Sequence, residues 1–250
     1  MIAEAIEKIR EMSKVRTIEI GSETYIISPD GKYTQITPKT CFPDTLELHS
    51  LAALVQMVKT EALATTMQIF GVGTPIFIVV VSPVSIQCTT QPVAGLNNQR
   101  AVLYKVSATD VPGWKEDTTL PYEDAVIALR TRFEDTDDSE YLLRLISEIS
   151  SGAAVTYRDN GIAASVVSKK GIDMQGKEDI RPYAMLRPYR TFHEVDQPTS
   201  VFNMRVSEKG IRLIEADGGI WKLDARRTIV EHLNAALADY VDDGQVLIMI

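Results

Sequence analysis

The segment Arg181-Pro182-Tyr183-Ala184-Met185-Leu186-Arg187-Pro188-Tyr189-Arg190 sets guanidinium and aromatic groups at alternate positions. In an extended chain, side chains two apart share a face. Arg181, Tyr183, Met185, Arg187 and Tyr189 would therefore line one side, with Pro182 and Pro188 on the other. With Arg190 beside it, that face has the chemistry to hold a nucleotide or a single-stranded nucleic acid, through phosphate hydrogen bonds and base stacking. The plainer reading is an edge strand. Proline is tolerated there because one row of amides needs no partner, and the arginines then pair with some of the chain's acids. Tyrosine and arginine also dress ordinary interfaces, which favours the edge strand.

Carboxylates offer a second chemistry. Glu194, Glu215 and Asp217 would serve a hydrolase as general acid and base if the fold made them converge. A hairpin drawn through Glu215-Ala216-Asp217-Gly218-Gly219 leaves Glu215 and Asp217 flanking a turn, where side chains usually stay wet. His193, Glu194 and Asp196 are close in sequence, but alternation turns the imidazole away from the two acids. His49 and His232 add no ligand spacing. The acidic run Glu134 to Glu140 fails as a calcium loop: counted from Asp135, Glu140 and Ile146 stand where glycine and a bidentate glutamate are needed. Its acids suit the N-terminus of the next helix instead. Gly71-Val72-Gly73-Thr74-Pro75 lacks the ending of a phosphate loop and leads into a strand. No serine-nucleophile elbow, zincin pair or kinase set is present. The expectation is no catalytic residue, no metal site and no cofactor.

The stretch that holds these groups has a wider pattern. It runs Arg187-Pro188-Tyr189-Arg190-Thr191-Phe192-His193-Glu194-Val195-Asp196-Gln197-Pro198, then Val201-Phe202-Asn203-Met204-Arg205-Val206, then Glu215-Ala216-Asp217-Gly218-Gly219-Ile220-Trp221 before a last helix. In that order the segments resemble a family of uncharacterised bacteriophage and prophage proteins, from near Pro121 to Ile250. The resemblance implies a phage source and the cytoplasm of a bacterial host. It brings no activity with it.

The elements that must position these residues are read from periodicity. Ile2, Ile6, Ile9 and Met12 make an amphipathic helix, and Thr17 to Ile20 and Thr24 to Ser28 make short strands, followed by turn chemistry at Pro29 to Lys32. Leu51, Leu54, Val55 and Val58 form a second helical stripe capped by Ser50. Pro75 to Ser82 reads as a buried strand pairing with Val84 to Thr89 and Ala101 to Ala108, with a loop from Thr90 to Asn98. Helices follow from Pro121 and from Asp137, the second with Asp137 and Glu140 at capping-box spacing. Asn160-Gly161 predicts a tight hairpin that sets Val155 and Tyr157 on a face with Val166 and Ala164. Strands are expected over Tyr183 to Phe192, Val201 to Val206 and Ile211 to Glu215, then a helix capped by Asp224. The fold class is α+β, mainly antiparallel sheet with several packed amphipathic helices. It divides at Val111-Pro112-Gly113 into an N-terminal α+β region, 1–113, and a C-terminal one, 114–250, or forms one continuous domain.

Composition bounds the function. At 250 residues, with 45% hydrophobic and 24% charged residues, the chain has ample core and reads as soluble. Its longest apolar run, Ile76 to Val81, is too short to span a bilayer, and the acidic start is no secretory signal. A net charge of −8 argues against a broad nucleic-acid footprint. Cys41 and Cys88 are too few for a disulfide framework or a thiolate zinc site. Both ends are apolar: Ile2, Ile6 and Ile9 at the start, and Leu247, Ile248 and Ile250 in the run Gln245 to Ile250. Those residues are expected to be buried against a second copy, by strand addition for example, or within the subunit on a central strand. The leading expectation is a non-catalytic accessory protein that works by binding as a homo-oligomer, toward a host protein or a nucleotide. Its work would be counteracting host defence or supporting phage DNA metabolism. The alternatives are the hydrolase at Glu194, Glu215 and Asp217 and the nucleotide site at Arg181 to Arg190.

Overall fold

The computed structural model describes residues 2–12, 16–20, 23–35, 42–93, 98–113, 118–150, 154–157, 163–170, 173–179, 181–207 and 209–250. The chain divides into two compact units: Met1–Asp44 with Pro92–Gln99, and Thr45–Gln91 with Arg100–Ile250. The smaller unit contains helix α1 (Ile2–Met12) and strands β1 (Arg16–Ile20), β2 (Glu23–Ile27) and β3 (Tyr33–Gln35), which pair antiparallel in chain order. Gly31, at φ 80°, closes the turn between β2 and β3, where the Ser28 amide donates to the Lys32 carbonyl over 2.7 Å. One face of this sheet carries Ile18 opposite Tyr25 and Ile27 opposite Tyr33.

The larger unit contains three sheets. The chain runs through β4 (Leu46–Leu48), α2 (Leu51–Met57), a π-helical turn (Val58–Ala62), α3 (Leu63–Phe70), β5 (Ile76–Ser82), β6 (Ser85–Val93) and β7 (Gln99–Ser107). It continues through β8 (Thr119–Leu120), α4 (Tyr122–Arg132), α5 (Asp137–Ser150), β9 (Ala154–Tyr157), β10 (Ala163–Lys170), β11 (Asp173–Asp179) and β12 (Tyr183–Leu186). It ends with β13 (Ser200–Ser207), β14 (Gly210–Glu215), α6 (Trp221–Ala236), α7 (Ala238–Asp242) and β15 (Val246–Met249). The first sheet has the order β15-β5-β6-β7-β4 and takes strands from either side of Val111 to Gly113. It is mixed, because β15 runs parallel to β5 and β4 parallel to β7. Ile76, Ile78, Val80, Ile86, Cys88 and Val246 are fully buried, and α6 packs on β5 and β15.

The second sheet, β12-β13-β14-β8, is antiparallel throughout. Alternation along β13 buries Phe202, Met204 and Val206 against Leu129, Phe133, Leu142 and Ile146 of the α4–α5 region. The Phe133 and Phe202 rings meet edge to face at 6.2 Å. Gly210 is required at the start of β14: a Cβ there would stand 1.9 Å from the Leu120 carbonyl oxygen, at φ 138°. A third, antiparallel sheet has the order β11-β10-β9. The chain is thus α+β with mainly antiparallel sheet. Among the described residues, no helix is long and apolar enough to cross a membrane.

Several local expectations are corrected. Strand β6 continues through Thr90 to Val93, where a loop is expected, because buried Thr90 accepts the Ala101 amide on its hydroxyl (3.1 Å). The cap of α5 lies one residue earlier than Asp137: Thr136 and Ser139 exchange amide-to-hydroxyl bonds of 3.1 and 2.8 Å. Val155 does pair with Val166, but a bulge sets Tyr157 opposite Ala163 rather than with Ala164. The Asn160-Gly161 turn itself lies outside the described residues. Strand β12 stops at Leu186 and does not reach Phe192. Backbone bonds between Glu134 and Arg187 and between Tyr189 and Arg132, both 2.9 Å, draw the chain onto the end of α4 instead. Asp217-Gly218-Gly219 turns from a strand into a helix, so no second hairpin strand follows, and Asp224 lies inside the first turn of α6 rather than capping it.

Candidate functional site

The resemblance segments converge on one side chain. Arg190 leaves the end of β12 by way of Pro188 and is 9% exposed. Its guanidinium binds the Glu215 carboxylate at the end of β14 and the Ser200 hydroxyl at the start of β13, and it lies 3.9 Å over the Trp221 ring at the start of α6. Trp221 Nε1 donates to the second Glu215 oxygen at 3.2 Å. Ser200 in turn donates to Asp217, whose other oxygen accepts the Gly219 amide at 2.9 Å and so shapes the turn into α6. Gln197 closes the system. Its carbonyl oxygen accepts the Arg190 and Thr191 amides, and its amide group donates to the Phe192 and Val195 carbonyls. A buried cation is tolerable only when paired and hydrogen-bonded, and this network does both.

The other arginines of the segment are held by different acids. Arg181 binds Asp138 at 2.8 Å and lies 4.0 Å over the Tyr141 ring. Arg187 Nε faces Glu134 at 3.0 Å and the Gln197 carbonyl at 2.9 Å. Tyr183 and Met185 do point outward together from β12, and Tyr189 sits against His193 with ring centroids 5.3 Å apart. The structure therefore distributes Arg181, Arg187 and Arg190 over three carboxylates. Asp138 also acts on the backbone, where its other oxygen takes the Met185 amide at 2.6 Å, on the free edge of β12. That carboxylate guards the edge against further pairing.

Of the three proposed hydrolytic acids, Glu194 is engaged elsewhere. Glu194 accepts the amides of Leu51 and Ala52, each at 2.9 Å, and so supplies negative charge to the α2 N-terminus beside the Ser50 cap. Glu215 and Asp217 remain linked through Arg190 and Ser200. His193 Nε2 lies 3.2 Å from the Asp110 carbonyl. Among the described residues, no group of three or more His, Cys, Asp or Glu is arranged to hold a metal ion. Cys88 is a buried free thiol whose pKa burial pushes up to about 12. Tyr104 is also raised, by burial and then by the adjacent Glu61 carboxylate.

The apolar ends are placed at surfaces. Ile6 and Ile9 on α1 are 59% and 66% exposed, while the Ile2 side chain lies outside the described set. Strand β15 is an edge strand and not the central one, because it joins the sheet only through β5. Val246 is fully buried and Ile248 partly so, but Leu247, Met249 and Ile250 are 41%, 40% and 49% exposed. Strand β5 is likewise buried on one face only. Phe77 and Val79 are half-buried and Val81 is exposed, although an unbroken apolar run implies cover on both sides. Sequence reasoning missed Gln197, Ser200 and Trp221 as partners of Arg190. Their signal was proximity of each to a segment already singled out. No family model, curated protein or solved structure matches the chain.

Proposed function

We propose that the chain is a phage-encoded accessory protein that acts by binding, as a homo-oligomer in the cytoplasm of a bacterial host. Counteracting a host defence and supporting phage DNA metabolism are the roles that fit such a protein. The observation that carries the assembly reading is the exposure of Ile6, Ile9, Leu247 and Ile250. Burying a side chain of that size is worth about 1.5–3 kcal/mol, so a surface that leaves several of them in water gains by meeting another. The order of the Arg187 to Trp221 segments supports the phage source. Within the competing readings, a nucleotide at Arg181 to Arg190 would have to displace Asp138, Glu134 or Glu215 from its guanidinium. A hydrolase would need Glu194 released from the α2 N-terminus. Light scattering or sedimentation at low micromolar concentration tests the proposal. The expected result is a mass that is a multiple of 27.7 kDa, and a strictly monomeric chain removes the assembly reading.

A further inference from the structure

The outer face of the five-stranded sheet is divided in composition. Toward β6, β7 and β4 it is mixed: Gln87 and the buried Thr89 stand opposite Val79 and Phe77, and Glu47 pairs in register with Lys105, on a face of β7 that also carries the buried Leu103. Toward the β15 edge it is wholly apolar. Phe77, Val79 and Val81 of β5 share that face with Leu247 and Met249, since Leu247 stands beside Phe77 and Met249 beside Val79. An ordinary solvent-facing sheet alternates apolar-in with polar-out, and here the outward positions break that rule on two adjacent strands. Neither Ile76–Ser82 nor Val246–Met249 contains an ionisable residue. Arg100 lies 4.3 Å over the Phe77 ring, at the border toward β6. The β15 edge itself lacks the guard that β12 has, with no proline, lysine or side-chain carboxylate on its amides among the described contacts.

We infer that this face is where a second copy of the chain docks, in a two-fold contact of β15–β5 against β15–β5. The inference rests on the homo-oligomer reading and gives it an address. Charge selects the occupant: two chains of net charge −8 repel over most of their surface, and a neutral apolar patch lets identical faces meet with no like charges opposed. Size is sufficient. Five such side chains each keep roughly 50 Å² in water, so two copies withdraw on the order of 500 Å² of apolar surface. With the usual polar share, that is an interface near roughly 1,000 Å², at the lower bound for a specific dimer.

The test compares masses at low micromolar concentration for the wild-type chain, Leu247→Glu, Val79→Glu and, as a control at an exposed apolar residue off this face, Val72→Glu. The inference expects a two-copy species for wild type and Val72→Glu, and a single copy for Leu247→Glu and Val79→Glu with unchanged far-UV circular dichroism. Folded Leu247→Glu and Val79→Glu chains that keep the wild-type mass overturn this face while leaving self-association intact. A monomeric wild type removes both. Should the variants misfold, hydrogen exchange of the wild type decides. Amides of Val246–Met249 should gain at least about tenfold protection between submicromolar and high-micromolar protein, and equal exchange at both concentrations overturns the inference.

Discussion

Among the described ion pairs, removing the Arg190 guanidinium should cost more than deleting any other charge, because its pair with Glu215 is the most buried. Both ends of its pair with Glu215 are about nine-tenths buried, the side chains being 10% and 11% exposed. In an Arg190→Met variant the Glu215 carboxylate keeps only the Trp221 indole as a described donor, and Ser200 loses the donor that fixes its hydroxyl toward Asp217. Breaking a buried pair in this way costs about 3–5 kcal/mol, because the surviving charge is left uncompensated. For a chain of this size that corresponds to a fall in melting temperature of roughly 6–20 °C. The decisive assay is a double-mutant cycle with Glu215→Gln, read by urea unfolding. Once the carboxylate is neutral, losing the arginine should hurt less, so the double variant should be more stable than the sum of singles by about 1–3 kcal/mol. Arg190→Lys should recover little, since an ammonium lacks the planar fork that spans Glu215 and Ser200 while stacking on Trp221. If the two single effects add to within about 0.5 kcal/mol, these groups do not act as one network.

Glu194→Ala should destabilise the fold by about 1–2 kcal/mol by uncovering two amides of the α2 N-terminus, with Glu194→Gln between it and wild type; thermal melts check the order. Asp138→Ala should cost about 1–2 kcal/mol and, by freeing the Met185 amide, raise light scattering during incubation at about 37 °C. A variant with unchanged scattering would mean that Asp138 does not guard β12. In a Cys41→Ser background, Cys88 should be silent to a thiol reagent at about pH 8 until the chain is unfolded, when one thiol appears. The linked pH effect has a definite sign. The unfolded thiol loses its proton near 9.0 and the folded one only near 12, so the unfolded state binds fewer protons in between and stability falls as pH rises through that window. Cys88→Ala should flatten that slope.

Periodicity carries the elements and fails at their joins. The Ser50 cap, the helices that follow Pro121 and begin at Asp137, and the strand over Val201 to Val206 follow from residues within a few positions of one another, and the structure places them as the pattern implies. The Tyr183 to Phe192 strand is read too long because the bonds that bend Arg187 and Tyr189 onto α4 come from Arg132 and Glu134, over fifty residues away in the chain. The Arg190 network has the same character. Its members Arg190, Ser200, Glu215, Asp217 and Trp221 each stand in or beside a segment that draws attention, but only the antiparallel register of β13 on β14, with Phe202 opposite Glu215, brings Ser200 to Asp217. The short hairpin that pairs Ser207 with Gly210 sets this register, and a one-residue slip would turn Ser200 away from Asp217.

Two sheet edges of the larger unit, at β12 and β15, contrast. On β12 Asp138 occupies the outward Met185 amide, and Arg181 holds that carboxylate in place. On β15 nothing among the described contacts does so, and the side chains beside it on the outer face are aliphatic or aromatic. A chain with 34 acidic residues has ample means to place a carboxylate or a lysine neighbour at that edge. Its absence from both β5 and β15 leaves Val81, Leu247 and Met249 exposed together on one face of the sheet. The charges of that face, Glu47 and Lys105, lie on β4 and β7, beyond the buried Thr89 and Leu103. Water alone gives no reason for an exposed patch on two adjacent strands to lack every polar group, and contact with another apolar surface does.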